Sequence, residues 1–177
     1  WSLFPDHDLF SARYASSIVS QMGVQQFTPA DLVKVLAGKT AGANATIHGV
    51  NESISGGSGR SDIESMLQLV YLNLTAPGKD GAIFKAYVER QRELARNNLA
   101  RPEAQLEDAV TATLFGAQAR VPRAPKPADF DQLELERVLA LYRSRLSSAR
   151  DFSFFMTGSF SVEQVKPLLA TYLASLP

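Results

Sequence analysis

Cysteine is absent from this sequence of 177 residues, and histidine occurs only twice. The missing thiols exclude disulfide bonds, cysteine nucleophiles and cysteine-ligated metal centres, although they do not identify a cellular compartment. Net charge is also absent, because 18 Lys and Arg residues balance 18 Asp and Glu residues along the whole chain. A neutral chain has no long-range attraction to phosphate, so we expect no nucleic-acid partner.

Long apolar runs are missing as well. No stretch approaches the roughly 18 consecutive apolar residues of a membrane-spanning helix, so we expect no membrane insertion. The amino end shows neither an initiator methionine nor a signal-peptide pattern, and we therefore expect a fragment of a longer protein. With 45% hydrophobic residues and a mass of 19.3 kDa, residues 1–177 can bury a core as one domain.

Apolar residues at helical spacing dominate what is present. A short helix is predicted from Thr28 to Gly38, with Leu32, Val33 and Leu36 facing inward. Another is predicted to start with Ser61 and Glu64 as a capping box. The other predicted helices cover residues 8–22, 80–97 with Leu94 inside, 102–115 and 132–147, and a last helix follows Ser161.

Only three strands are predicted. Two lie between Thr40 and Ser55 and are separated at Gly49. One covers residues 152–157, where Phe152, Phe154 and Met156 alternate with Ser153, Phe155 and Thr157, as in a strand with both faces largely covered. Residues 120–127 contain three prolines and are predicted to be an extended connector. Three strands are too few to cover these helices, so we expect further strands from upstream or from another chain.

Three sequence blocks carry a family resemblance: GVQQFT at residues 23–28, LVKVLAGK at 32–39 and DIESMLQLVYL at 62–72. The similarity continues in order to the terminal YLASLP at residues 172–177 and covers nearly the whole chain. The sequence resembles the insulinase (pitrilysin-like) zinc metallopeptidases. More narrowly, it is similar to the carboxy-terminal, non-catalytic half of their bacterial zinc-protease branch.

The resemblance implies an α+β fold of two layers, with an antiparallel sheet and helices packed on one face. This is the metallohydrolase fold of the mitochondrial-processing-peptidase type, here expected to lack its first strands. Members of the family join four such domains into two halves that close over a peptide. The implied partners are sibling domains or a catalytic partner subunit, together with a peptide substrate, and the implied location is periplasmic or otherwise extracytoplasmic.

The family's catalytic half binds zinc through His-x-x-Glu-His, where two histidines four residues apart share one helix face. Here His7 and His48 are far apart, and residues 14–18 (YASSI) stand at the motif positions. Glu89 and Glu93 could be remnants of the third ligand, but they have no histidines to complete. We therefore expect no catalytic residue, metal ligand or cofactor in this chain, with zinc held by the catalytic half of the parent.

Arg120, Arg123 and Lys126 on the connector are the candidate contacts to substrate or to a neighbouring domain. Residues 56–61 (GGSGRS) precede a predicted helix and leave open an anion- or nucleotide-binding domain, although the P-loop lysine is missing.

Two further polar features are expected to have structural roles. His48 is predicted to be a turn residue and His7 a solvated residue near a helix start. Ser16, Ser17 and Ser20 are predicted to face solvent, because no base lies at a useful spacing to activate a nucleophile.

A second function also stays open, namely an interaction or assembly module of a wholly inactive family member.

Overall fold

Helices form most of the computed structural model, which describes residues 1–116, 118 and 120–177. The helices are α1 (Leu9–Val19), α2 (Pro29–Val35), α3 (Ile63–Thr75), α4 (Gly81–Leu99), α5 (Pro102–Phe115), α6 (Leu135–Leu146) and α7 (Val162–Tyr172). The strands are β1 (Ala41–Ile47) and β2 (Glu52–Ser58), and 3-10 turns occupy Asp6–Asp8, Arg60–Asp62 and Pro127–Gln132.

The two strands form an antiparallel hairpin. Ala41 lies opposite Ser58 at one end, and Ile47 lies opposite Glu52 at the other. The turn is closed by the His48 N–H, which donates to the Asn51 carbonyl at 2.8 Å. Ala45 and Ile47 of β1 are buried, and α3 packs across both strands. The sheet therefore has one covered face, in keeping with the expected two-layer α+β fold.

The core lies where α6 packs along α1 and where α3 supports the sheet. Val138, Leu139 and Leu146 of α6 are at most 1% exposed. Tyr142 joins the same helix to α3, since its buried hydroxyl donates to the Asn73 carbonyl at 3.0 Å. Burial raises the pKa of Tyr142, so this hydroxyl keeps its proton at physiological pH.

Two helical predictions are wrong about which face is buried. No described residue of α2 is buried, and Val33 is 74% exposed although its spacing predicted an inward position. Leu94 of α4 is 54% exposed, and Ala95 takes the buried place beside it. A helical period shows that a helix has an apolar side, but only a packing partner removes that side from water.

Local chemistry also differs from the prediction at the start of α3 and within α1. Asp62, and not Ser61, precedes α3, because a 3-10 turn intervenes and the helix begins at Ile63. Ser16 of α1 is buried, and its Oγ accepts a 2.7 Å hydrogen bond from the Ile47 N–H of β1. The prediction that Ser16 faces solvent is therefore wrong, since the hydroxyl satisfies a strand-end donor that would otherwise be buried without a partner.

Asp8 ties the start of α1 to α6 through a carboxylate that is only 5% exposed. Arg137 Nε donates to Asp8 Oδ1 at 2.7 Å, and Arg137 Nη2 donates to Oδ2. The side chain makes no capping bond to α1, because the guanidinium occupies both of its oxygens. These hydrogen bonds hold the pKa of Asp8 below its usual range despite burial.

We expect Asp8→Asn to lower the free energy of unfolding at pH 7 by about 1–3 kcal/mol, because a hydrogen-bonded charge pair is broken. The folded-state pKa lies below the unfolded value of about 3.9, so this stability is present above that pH and is lost as pH falls through the folded pKa. Denaturant unfolding from pH 7 to pH 2 should show the two proteins converging in acid. Asp6→Asn, at an exposed carboxylate on the same turn, is the control and should change stability by at most about 0.5 kcal/mol. A constant difference down to pH 2 would contradict this assignment.

Candidate functional site

A groove of about 590 Å³ lies between β2 and residues 154–160. We call it the β2 groove. Met66, Leu67 and Val70 of α3 form its floor, and Leu169 of α7 and Leu173, which follows that helix, also line it. Arg60 is the single charged residue among the described residues that line it. The groove thus has an apolar floor and is bordered by β2 on one side and by residues 154–160 on the other.

The first border is the free edge of β2. Backbone bonds from Gly59 N–H to the Thr40 carbonyl (2.7 Å) and from His48 N–H to the Asn51 carbonyl (2.8 Å) continue the ladder at its two ends. Bonded and non-bonded pairs alternate along an antiparallel ladder, so Ser53, Ser55 and Gly57 are the residues bonded to β1. The N–H and C=O groups of Ile54, Gly56 and Ser58 therefore point away from β1, toward the groove.

Gly56 sets how closely β2 approaches the groove floor. A Cβ atom at this position would lie 2.9 Å from Met66 Cγ, whereas a Cβ atom on Gly57 would meet nothing within 4 Å. The two adjacent glycines therefore have different roles. Gly56 permits close contact between strand and helix, and Gly57 faces open space.

The second border is the segment predicted to be a strand over residues 152–157. That prediction is wrong: these residues belong to no strand, because no described neighbour pairs with them. Among the described residues, no backbone hydrogen bond involves residues 153–160. Phe154 is 40% exposed and Phe155 is 92% exposed, although Phe152 and Phe154 stack at 6.1 Å between ring centroids. Sequence alternation could not supply a partner strand.

The glycine-rich residues 56–61 lie partly in β2 and partly before α3. Gly56, Gly57 and Ser58 belong to β2, and the Asp62 carboxylate lies at the start of α3, where it accepts a hydrogen bond from the Thr40 N–H at 2.9 Å. The side chain makes no capping bond to α3, but a carboxylate beside a helix amino terminus repels other anions. This arrangement argues against the anion- or nucleotide-binding alternative.

The connector residues proposed as contacts have partners within the chain. Arg120 donates to the carbonyls of Ser2 (2.8 Å) and Phe4 (3.1 Å), and it forms an ion pair with Asp6 at 2.9 Å. These bonds attach the connector to the amino-terminal segment.

Arg123 makes a bidentate pair with Asp108 of α5, at 2.7 and 2.6 Å. This contact lowers the pKa of the Asp108 carboxyl. Lys126 is exposed. The structure thus assigns Arg120 and Arg123 to contacts within the chain, and contact of the three residues with substrate stays a prediction.

The histidines and the acidic pair on α4 lie in separate places. His7 Nε2 is 3.4 Å from the Asp8 carboxylate, and His48 Nε2 is 2.9 Å from Ser53 Oγ at the hairpin. Glu89 and Glu93 pair with arginines three residues along α4. Within residues 1–116, 118 and 120–177, no group of three or more His, Asp or Glu side chains is placed to hold a metal ion. The described residues therefore do not fit a zinc site.

No protein-family model matches the chain. The chain is 26% identical over 175 residues to the probable zinc protease PqqL of Haemophilus influenzae. The aligned region is 97% of this chain and 18% of that protein. The structure of the periplasmic protease PqqL from Escherichia coli matches 98% of the chain with a TM-score of 0.81 and 21% identity. The resemblance to insulinase-like zinc proteases is confirmed.

A second solved structure supports the same fold. A mutant of the ferredoxin protease FusC, in complex with Arabidopsis ferredoxin, matches 95% of the chain with a TM-score of 0.77 and 20% identity. The chain spans 18% of FusC and 19% of the Escherichia coli PqqL chain. The chain thus spans less than a fifth of the length of each of these proteases. Each described helix is too short or too polar to cross a membrane.

Proposed function

We propose that this chain is a non-catalytic domain of a zinc metallopeptidase, where it forms part of the wall of a peptide-binding chamber and packs against sibling domains. The carrying observation is the similarity to PqqL along 97% of the chain, combined with side chains that do not fit zinc. The zinc and the catalytic residues would belong to another part of the longer protein. Because PqqL of Escherichia coli is periplasmic, we place the parent protein in the periplasm or another extracytoplasmic space.

An apolar stripe on α5 supports the packing role. Leu106, Val110 and Leu114 follow one another at intervals of four residues, so they share one helix face. They are 66%, 47% and 69% exposed, and Phe115 at the helix end is 47% exposed. Large apolar side chains in one exposed row are typical of a surface covered by protein. A sibling domain of the same longer protein is the occupant that we assign to this stripe.

The direct test measures peptide hydrolysis by the full-length protein and by the 177 residues alone. We expect the full-length protein to cleave unfolded peptides, to lose this activity on chelation and to regain it with Zn²⁺. The 177 residues alone should be inactive. Zinc-dependent cleavage by this chain alone would contradict the proposal.

An inactive full-length protein would instead favour the alternative, an interaction or assembly module of a degenerate family member. The upstream sequence discriminates the two functions as well. A His-x-x-Glu-His helix in the longer protein favours a working peptidase, and its absence there and in a partner subunit favours the module.

The stripe provides a sharper prediction. We expect Leu106→Glu in the full-length protein to reduce peptide hydrolysis at least about tenfold, because a charge would be placed against a sibling domain. The exposed position of Leu106 predicts a change in the stability of this domain of at most about 0.5 kcal/mol. Gln105→Glu adds the same charge to an exposed neighbour on α5 and is the control. Equal hydrolysis by both variants and the parent would contradict packing through this stripe.

A further inference from the structure

The short helix α2 is the apolar element that the described part of this chain leaves uncovered. None of its residues is buried, and none is among the described residues that form the core or pack against it. We infer that a sibling domain of the longer protein covers α2 and removes it from water. The inference rests on the proposed function and deepens its packing part, since it names the surface that packs and the kind of partner that fits it.

Apolar side chains surround most of the circumference of α2. Leu32 and Val35 are three residues apart and share one side, and Val33 shares another side with Leu36 at the C-cap. Val33 is 74% exposed and Val35 is 56% exposed. A helix that is apolar on most sides is typically buried by protein, whereas a surface helix has a polar face. The composition of α2 is therefore that of a covered helix, although this chain leaves it open.

Local contacts hold α2 in place without burying it. Thr28 and Asp31 form a reciprocal capping box, in which the Asp31 N–H donates to Thr28 Oγ1 at 3.2 Å. After the helix, Lys39 Nζ donates to Ser65 Oγ at 2.9 Å. A helix of seven residues is nevertheless marginal in water, because most helical stability in proteins comes from the packing of an apolar face. We therefore expect that packing to come from another part of the longer protein.

The size of α2 favours a partner within the same polypeptide. Its seven residues span about 10 Å, so one face of the helix offers on the order of 100 Å². A stable complex of separate proteins buries about 800 Å² on each partner, which is far more than α2 provides. A tethered domain needs less area, because a linker keeps its effective concentration near the millimolar range. The aligned region is only 18% of the Haemophilus PqqL, so that relative contains ample chain for such a domain.

The charges of α2 define the chemistry of the partner. Lys34 Nζ lies 3.9 Å from Asp31 Oδ1, so the two charges of the helix pair with each other. The surface around Val33 is therefore apolar and carries no net charge. The partner should present aliphatic side chains opposite Val33, since a charged group there would lose hydration without gaining a counterion.

Residue-resolved amide hydrogen exchange on the full-length protein tests the inference. The amides of residues 33–36 should exchange at least about 100-fold more slowly than those of an unstructured peptide, without any added ligand and at every protein concentration. Val33→Glu should accelerate this exchange at least about tenfold, because a buried charge would separate the two surfaces. Gln26→Glu adds the same charge to an exposed residue in the turn before α2, and this control should leave the exchange unchanged.

Four results would overturn the inference. Fast exchange at residues 33–36, with the amides of Leu67 and Val70 in α3 still protected, would mean that α2 is uncovered. Slow exchange that Val33→Glu leaves unchanged would place the protection within this chain. Protection that rises with protein concentration would indicate a second copy, and protection that appears only with an added unstructured peptide would indicate a substrate surface.

Peptide hydrolysis is measured separately, so failure of this inference is distinguishable from failure of the proposed peptidase role. Slow exchange of α2 in an inactive full-length protein would retain the covered helix and remove the peptidase role. Zinc-dependent hydrolysis together with fast exchange of α2 would do the reverse.

Discussion

Gly78→Ala is expected to destabilise the fold by at least about 3 kcal/mol. A Cβ atom on Gly78 would lie 2.3 Å from the Met22 carbonyl oxygen and 2.7 Å from that of Gly23. Both obstacles are backbone atoms, so no side-chain rotation relieves the overlap, and the penalty is at the upper end of that for overpacking. The Gly78 N–H also donates to the Gly23 carbonyl at 3.0 Å, and the shift would break this bond.

The Gly78→Ala substitution should also affect the β2 groove. Gly78 joins the end of α3 to the turn after α1, where the Gln25 N–H also donates to the Ala76 carbonyl at 2.8 Å. Loss of this junction should loosen α3, which forms the groove floor.

The matched control is Gly81→Ala, because a Cβ atom there meets nothing within 4 Å and Gly81 begins α4. Alanine has a higher helix propensity than glycine by at most about 1 kcal/mol, so this variant should be neutral or slightly more stable. Urea unfolding of the three proteins measures the difference. Similar free energies of unfolding for the two variants would contradict the close approach at Gly78.

Leu139→Ala is expected to cost about 2–5 kcal/mol of stability. Leu139 is 1% exposed in α6, which packs along α1, and its truncation would remove apolar contacts and leave a cavity in the core. The cost depends on how far the surrounding side chains can relax, and Val138, Tyr142 and Leu146 are already closely packed around the same seam. Thermal and denaturant unfolding should both report the loss.

Leu94→Ala makes the same chemical change at a residue that is 54% exposed. We expect a change of at most about 0.5 kcal/mol, since alanine retains helix propensity and little buried area is lost. The pair therefore tests burial and not residue type. A loss at Leu94 comparable to that at Leu139 would mean that α4 is covered there by another part of this chain.

Helix positions were largely predictable from the sequence, because start and stop signals act locally. Pro102 and the glycine after Phe115 mark α5 at the observed bounds, and Asp80 caps α4 through hydrogen bonds to the N–H groups of Ala82 (2.8 Å) and Ile83 (2.9 Å). Two strands separated at Gly49 were also predicted, although β2 continues to Ser58 through two glycines. The family resemblance likewise depends on residue order alone.

The candidate groove was not predictable, because its parts come from three separate stretches of the chain. From the sequence, Gly56 resembles a loop residue. In the structure it lies against α3, where Met66 would contact any added Cβ atom. Residues 152–157 alternate like a strand, but a strand exists only when another backbone bonds to it. Sequence alternation indicates a preference for strand but does not provide the neighbouring strand.

The sequence by itself determined which segments are helical, where the hairpin turns and which protease family the chain resembles, since these depend on neighbouring residues and their order. Tertiary structure alone decided that Ser16 is buried, that Leu94 is exposed and that β2 presents a free edge to an apolar trough. Burial and hydrogen-bond pairing are properties of two surfaces in contact. One surface is encoded in a local pattern, whereas its partner is found only when the chain has folded.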